Sequence, residues 1–111
     1  MLKSFECSNL NNVALHIIGG VPTGGEEYNK KVRSLLGELK CKSNVFFWGD
    51  VHNASAKLVN FNVYLSTAKF EGLPTAIIEA GLSELPIVAT PCVGNIDLVN
   101  EDTGYLSKSF D

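Results

Sequence analysis

The sequence predicts an α/β fold with a parallel sheet flanked by helices. Three observations carry this: short apolar runs rich in β-formers alternate with stretches of helical periodicity, Gly, Asn and Pro mark the junctions, and no internal repeat or low-complexity stretch interrupts the alternation. That pattern is the signature of βαβ units, in which each strand is reached through a crossover that packs on the sheet.

In chain order, residues 1–7 read as the end of a helix. Residues 13–18 (VALHII) form a near-continuous apolar run closed by Gly19-Gly20, as expected of a strand buried on both faces. Residues 26–40 place Tyr28, Val32, Leu35, Leu36 and Leu39 at helical spacing. Residues 45–48 are the next strand, stopped by Gly49-Asp50, followed by a short helix over 54–60 and a third strand over 63–66. Residues 74–82 read as a helix with Pro74 at its first position, where a missing N–H costs nothing, and with Ala76, Ile77, Ile78 and Ala80 as its buried face. Residues 86–90 (PIVAT) are a fourth strand, and a short helix near 96–100 and a strand near 104–107 complete the reading.

Composition bounds the function. With 111 residues, 45% hydrophobic, 19% charged and a net charge of −3, the chain is expected to form one domain over 1–111 with a single core. A chain of this length buries roughly 65% of its unfolded surface, too little for two lobes and a deep cleft. The acidic balance argues against nucleic acid, whose affinity rests on clustered Lys and Arg. Lys30, Lys31 and Arg33 form the longest basic cluster and read as a solvated helix face. Cys7, Cys41 and Cys92 are odd in number and match no metal-ligand spacing, which points to a reducing, cytoplasmic compartment. No apolar run approaches the roughly 18 residues of a membrane span. Asn53-Ala54-Ser55 fits the glycosylation sequon, but without a secretory signal Asn53 or Ser55 reads as a helix cap.

The glycines after the first strand invite a phosphate-loop reading and fail it. Gly25-Glu26 stand where the triphosphate loop requires Lys and Ser or Thr, and Val21-Pro22 break a dinucleotide fingerprint. A strand-to-helix turn that needs a permissive backbone remains. His16 lies inside an apolar strand and reads as a satisfied core residue; His52 is unassigned.

Residues 70–80 (FEGLPTAIIEA) are more informative. Glu71 stands on the loop before the helix and Glu79 two turns inside it. Between them the N–H groups of Gly72, Leu73, Thr75 and Ala76 are expected to be unpaired and to face the positive end of the helix, an arrangement suited to a diphosphate. A carboxylate also accepts from vicinal sugar hydroxyls. Spacing alone leaves open that both glutamates are solvated surface residues.

From Leu15 to Leu106 the chain resembles the C-terminal domain of family 4 glycosyltransferases. The family's hallmark, Glu, seven residues, Glu, then Ala, appears as Glu71, Glu79 and Ala80, and the blocks LHIIGG, NVFFWGDV, VYLSTAKFEGLP, IIEAGLSELPIVAT, GNIDLV and TGYLS follow in the family's order. The resemblance implies the Rossmann-like donor half of a GT-B enzyme that binds a UDP- or GDP-sugar and transfers a hexose with retention, without a bound metal or other cofactor. It implies that Glu71 contacts the donor hexose and Glu79 the ribose hydroxyls. Gly72, Leu73 and Thr75 would meet the sugar or β-phosphate, and Asp50 and Val51 the nucleobase.

The same resemblance implies what lies outside this chain: the family's first strand, its diphosphate-gripping Arg and Lys, its closing helices, and an N-terminal acceptor domain. The isolated chain is therefore expected to bind donor weakly and to be inactive alone, in the cytoplasm or, for the complete enzyme, at the inner face of the membrane. The strands beside the absent one would pair directly or be bridged by another chain, a partner domain or a second copy. The family's Ser three residues before the first Glu is Ala68 here, and one of its two loop glycines is Val93, which narrows the space for a donor sugar. An alternative from another class is a non-catalytic α/β module that self-associates through its incomplete sheet.

Overall fold

The computed structural model describes residues 1–8 and 10–110. The chain divides into two compact units, Met1–His52 and Asn53–Asp111. The strands form two sheets, both parallel as expected, one in each unit. Among the described residues the first two strands form one ladder and the last three the other.

In the first unit, helix α1 (Leu2–Cys7) precedes strand β1 (Leu15–Ile18), helix α2 (Glu26–Glu38) and strand β2 (Val45–Gly49). β1 pairs with β2 from Leu15 opposite Val45 onward, and the Gly19 N–H donates to the Gly49 carbonyl where the ladder ends. Gly19 lies at φ 138°, a conformation that favours glycine, which accounts for the turn signal in the sequence. The backbone N–H of Lys40 donates to Glu6 Oε1 at 2.7 Å, tying α1 to the segment that follows α2.

The expectation that the first strand is buried on both faces is corrected here. Leu15 and Val45 are buried, but Phe46 and Trp48 stand 46% and 45% exposed, because alternate residues of a strand point to opposite faces and only one face of this pair is packed. His16 sits on the same open face, half-buried, stacked on Phe46 at 4.9 Å and accepting from Trp48 Nε1 at 3.0 Å. It is a satisfied residue, as expected, but not a core one. On α2, Val32, Leu35 and Leu36 are half-buried while Tyr28 is exposed, so the apolar stripe is narrower than its spacing suggested. Lys31 pairs with Glu27 at 2.8 Å on the solvated face.

The second unit opens with a 3₁₀ helix, Ala54–Asn60, over the residues where a short helix was expected. Asn53 precedes it at φ 54° and makes no capping bond to the backbone; its side chain accepts from Ser55 Oγ instead. Strand β3 (Tyr64–Ser66), helix α3 (Thr75–Leu82), strand β4 (Ile87–Ala89), the single-turn helix α4 (Val93–Ile96) and strand β5 (Gly104–Leu106) follow, in sheet order β3-β4-β5. One cluster of Ile77, Ala80, Leu85, Ile87, Ala89 and Val99 forms the core, with Leu58, Phe61, Tyr64, Leu98 and Leu106 packed against it. Burying each large aliphatic member contributes about 1.5–3 kcal/mol. After α3 the chain turns at Glu84, φ 57°, and the Leu85 N–H returns to the Ala80 carbonyl, which delivers Leu85 to the core. Ala76 and Ile78, expected inside, are exposed; the buried edge of α3 is Ile77 and Ala80.

Among the described residues no helix is long and apolar enough to cross a membrane.

Candidate functional site

In an open parallel sheet, ligands bind beyond the carboxyl ends of the strands, where the connections to the helices begin. β3 ends at Ser66 and β4 at Ala89, and the connections from these ends are bonded to each other. Thr90 N–H donates to the Ser66 carbonyl at 3.1 Å, Thr90 Oγ1 donates to the Ala68 carbonyl, and Gly94 N–H donates to the Glu71 carbonyl at 3.1 Å. The loop that carries Glu71 is thus seated on the turn that opens α4.

Glu71 is half-buried and Glu79 exposed. Both carboxylates act on one group: the phenol of Tyr64 is held above its ordinary pKa, first by burial, then by the negative charge of Glu71, then by that of Glu79. Both glutamates thus lie near enough to Tyr64 for their charge to bear on its phenol. Tyr64 was missed in the sequence, where it reads as one more β-former in the run NVYLS; only its polar tip distinguished it.

At the start of α3, Pro74 occupies the N-cap rather than the first helical position. Its ψ of 77° is not helical, yet its carbonyl already accepts from the N–H groups of Ile77 and Ile78. The Thr75 N–H, expected to be available to a ligand, donates to the Leu73 carbonyl at 2.9 Å. A tight turn before the helix claims that donor, leaving the exposed Thr75 hydroxyl. Among the described residues the N–H groups of Gly72, Leu73 and Ala76 donate to no protein acceptor, so three of the four expected donors remain available. Phe70, Leu73 and Val93 are exposed around them.

α4 begins three residues earlier than expected, at Val93. Val93-Gly94 looked like loop, but the turn starts from the extended Cys92, whose carbonyl accepts from Asn95 and Ile96. Gly94 is explained by close approach: a Cβ there would lie 2.8 Å from the Glu71 carbonyl oxygen and 2.9 Å from that of Gly72.

Asp50 and Val51, the remaining expected site residues, belong to the first unit, just after β2. The Asp50 carboxylate is packed over Gly20, where any Cβ would collide with it, so the Gly19-Gly20 pair leaves room for that side chain. Val51 is half-buried. Among the described residues no group of three His, Cys, Asp or Glu side chains is placed to hold a metal ion.

Fold comparison defines the class. The chain has the Rossmann-like α/β fold of GT-B glycosyltransferase structures. It is similar to HepE of Anabaena, solved in complex with UDP and glucose, at TM-score 0.85 and 22% identity, covering 97% of this chain and 30% of that one. It is similar to TarM at TM-score 0.73 and 27% identity, covering 97% of this chain and 21% of that one. The chain belongs to the glycosyl transferases group 1 family, which it matches over residues 2–111. Curated relatives include an uncharacterized glycosyltransferase of Methanocaldococcus jannaschii, 32% identical over 69 residues, covering 62% of this chain and 17% of the relative. Protein CapJ of Staphylococcus aureus is 29% identical over 103 residues, covering 90% of this chain and 24% of the relative. The chain thus spans less than a third of each of these proteins.

Proposed function

We propose that this chain is the donor-binding part of a retaining glycosyltransferase of the family 4 type, which takes a hexose from a nucleoside diphosphate and passes it to a glycan or lipid-linked acceptor. The observation that carries the reading is the pair Glu71 and Glu79 bracketing the unclaimed N–H groups of Gly72, Leu73 and Ala76 at the positive end of α3. Membership of the group 1 family supports it. The similar HepE structures hold UDP with glucose and UDP-glucose, which favours a uridine nucleotide here.

In this reading Glu79 accepts from the ribose hydroxyls and Glu71 from the hexose, while the backbone donors and the Thr75 hydroxyl meet the β-phosphate or sugar. Asp50 and Val51 are assigned to the nucleobase. No metal is invoked: as the bond to the diphosphate breaks, fixed N–H dipoles and the helix terminus stabilise the growing negative charge. The protein's contribution is positioning and electrostatics rather than a strong base. The diphosphate's cationic partners and the acceptor site are proposed to lie in parts of the enzyme outside this chain, and the isolated chain to be inactive.

The test is calorimetric and thermal-shift titration of the chain with UDP, GDP and their sugar conjugates. Stabilisation by UDP that falls at least about tenfold in affinity in Glu79→Ala, with the fold intact, is the expected result, since one charge-assisted hydrogen bond is worth that much. A folded chain that responds to no nucleotide overturns the reading for this chain. If such a chain also grows in size with concentration, the self-associating module takes its place, and the exposed Phe46 and Trp48 are the residues to suspect.

A further inference from the structure

We propose that Thr90 and Asn95 are positioning residues: together with the Gly94 backbone they lock the loop over 68–74 so that Glu71 is presented to the sugar half of the donor independently of the nucleotide grip at Glu79. The inference rests on the donor-site reading and adds to it a device that no motif in the sequence marks.

The bonding runs through one buried side chain. Asn95 is 0% exposed and is the only buried polar residue among those described. Its Nδ2 donates to the Thr90 carbonyl at 2.9 Å, while its Oδ1 has no partner among the described residues. A buried acceptor without a donor is unfavourable, and an apolar side chain of the same size would remove that defect. The amide contributes something an apolar residue would not: it fixes the Thr90 backbone. Thr90 then uses its hydroxyl on the Ala68 carbonyl, three residues before Glu71. Gly94 closes the far end by donating to the Glu71 carbonyl itself. A Cβ on Gly94 would also lie 2.9 Å from Pro74 Cδ, so the turn and the loop fit only when residue 94 has no side chain.

The loop is therefore held at Ala68 and at Glu71, on either side of the exposed Lys69 and Phe70. Glu79 stands outside this arrangement, on a helix anchored in the core by Ile77 and Ala80. Two carboxylates with separate supports can be perturbed separately.

The experiment compares the wild-type chain with Thr90→Val, which keeps the shape and loses the hydroxyl, and Thr90→Ser, which keeps the hydroxyl. Amide hydrogen exchange and calorimetry with UDP and UDP-glucose are the readouts. Thr90→Val is expected to accelerate exchange of the Gly94 amide, which is held on the Glu71 carbonyl, by about tenfold or more while those of β3, β4 and β5 are unchanged, the signature of a local opening. It is expected to leave UDP affinity within about twofold and to cost UDP-glucose about tenfold relative to UDP, the effect of one hydrogen bond. Thr90→Ser should retain wild-type behaviour in both. Equal losses for the two ligands, or exchange that accelerates throughout the sheet, would identify Thr90 as a general stability residue and overturn the proposal. Unchanged exchange at Gly94 overturns it as well. If the wild-type chain binds neither ligand, the donor-site reading has failed, and the exchange pattern by itself decides whether the loop is locked as described.

Discussion

The two units start from similar local patterns and end with different interiors. In the first, the apolar runs of β1 and β2 pair as a two-stranded ribbon with one face packed, so Phe46 and Trp48 stand nearly half exposed. In the second, β4 is flanked by β3 and β5, and Ile87 and Ala89 are 2% and 1% exposed within a continuous cluster that takes in α3. What separates them is the number of surfaces available to cover each strand. A central strand with a neighbour on both sides and a helix above has little left to expose. A paired strand with a single neighbour depends on what lies over its second face. Glu71, Glu79 and the bonding that seats their loop all belong to the second unit, the one with the complete interior.

The sharpest way to break this contrast is Gly104→Ala. A Cβ at that position would collide with the backbone of Ile87 across the β4-β5 ladder, and a backbone cannot rotate aside as a side chain would. A loss above about 4 kcal/mol is expected, enough to abolish cooperative melting of the second unit. Next is Ile87→Ala, which empties a fully buried site and should cost about 2–5 kcal/mol in denaturant unfolding. Phe46→Thr, a truncation of similar volume on the open face of the first unit, should cost only about 1 kcal/mol, mainly its stacking on His16. If the two values came out equal, the open face would be covered in solution and the contrast would fail.

The smallest effect expected is one of pH. Burial, then Glu71 and Glu79, raise the Tyr64 phenol above its ordinary value of 10.0 in the folded chain. Above about pH 10 the unfolded chain releases that proton while the folded chain keeps it, so stability falls with rising pH until the raised folded value is passed. Tyr64→Phe should flatten that alkaline decline, and Glu71→Gln should flatten part of it. Unfolding curves taken across this window, with tyrosinate absorbance as a second probe, check both. A decline unchanged in Tyr64→Phe would mean that the phenol does not lie in the shared field of the two glutamates.

Much of the architecture is legible in the sequence, for reasons that particular residues make clear. Ile77 and Ala80 are buried as their spacing requires, while Ala76 and Ile78 are not, because a helical stripe predicts a face and not its width. Pro74 announced the start of α3 but not its own place, since N-cap and first helical position differ only in ψ. Glu71 and Glu79 were singled out by their spacing and by resemblance. Tyr64, Thr90 and Asn95 were not found, because nothing in a run such as VYLS or GNIDLV distinguishes a residue that packs from one that also bonds to a neighbouring loop.

The order of strands and helices, the parallel α/β class and the carboxylate pair around α3 follow from the sequence alone. They depend on periodicity, turn residues and side-chain chemistry, which act over a few consecutive positions. Only the tertiary structure decided which faces are covered, which N–H groups at the start of α3 stay unclaimed, and why residue 94 is glycine. These turn on close approach between segments distant in the chain, such as the Thr90 hydroxyl at the Ala68 carbonyl and the Gly94 amide at Glu71. A difference of an ångström in such contacts, set by the packing of the whole unit, separates a hydrogen bond from a collision.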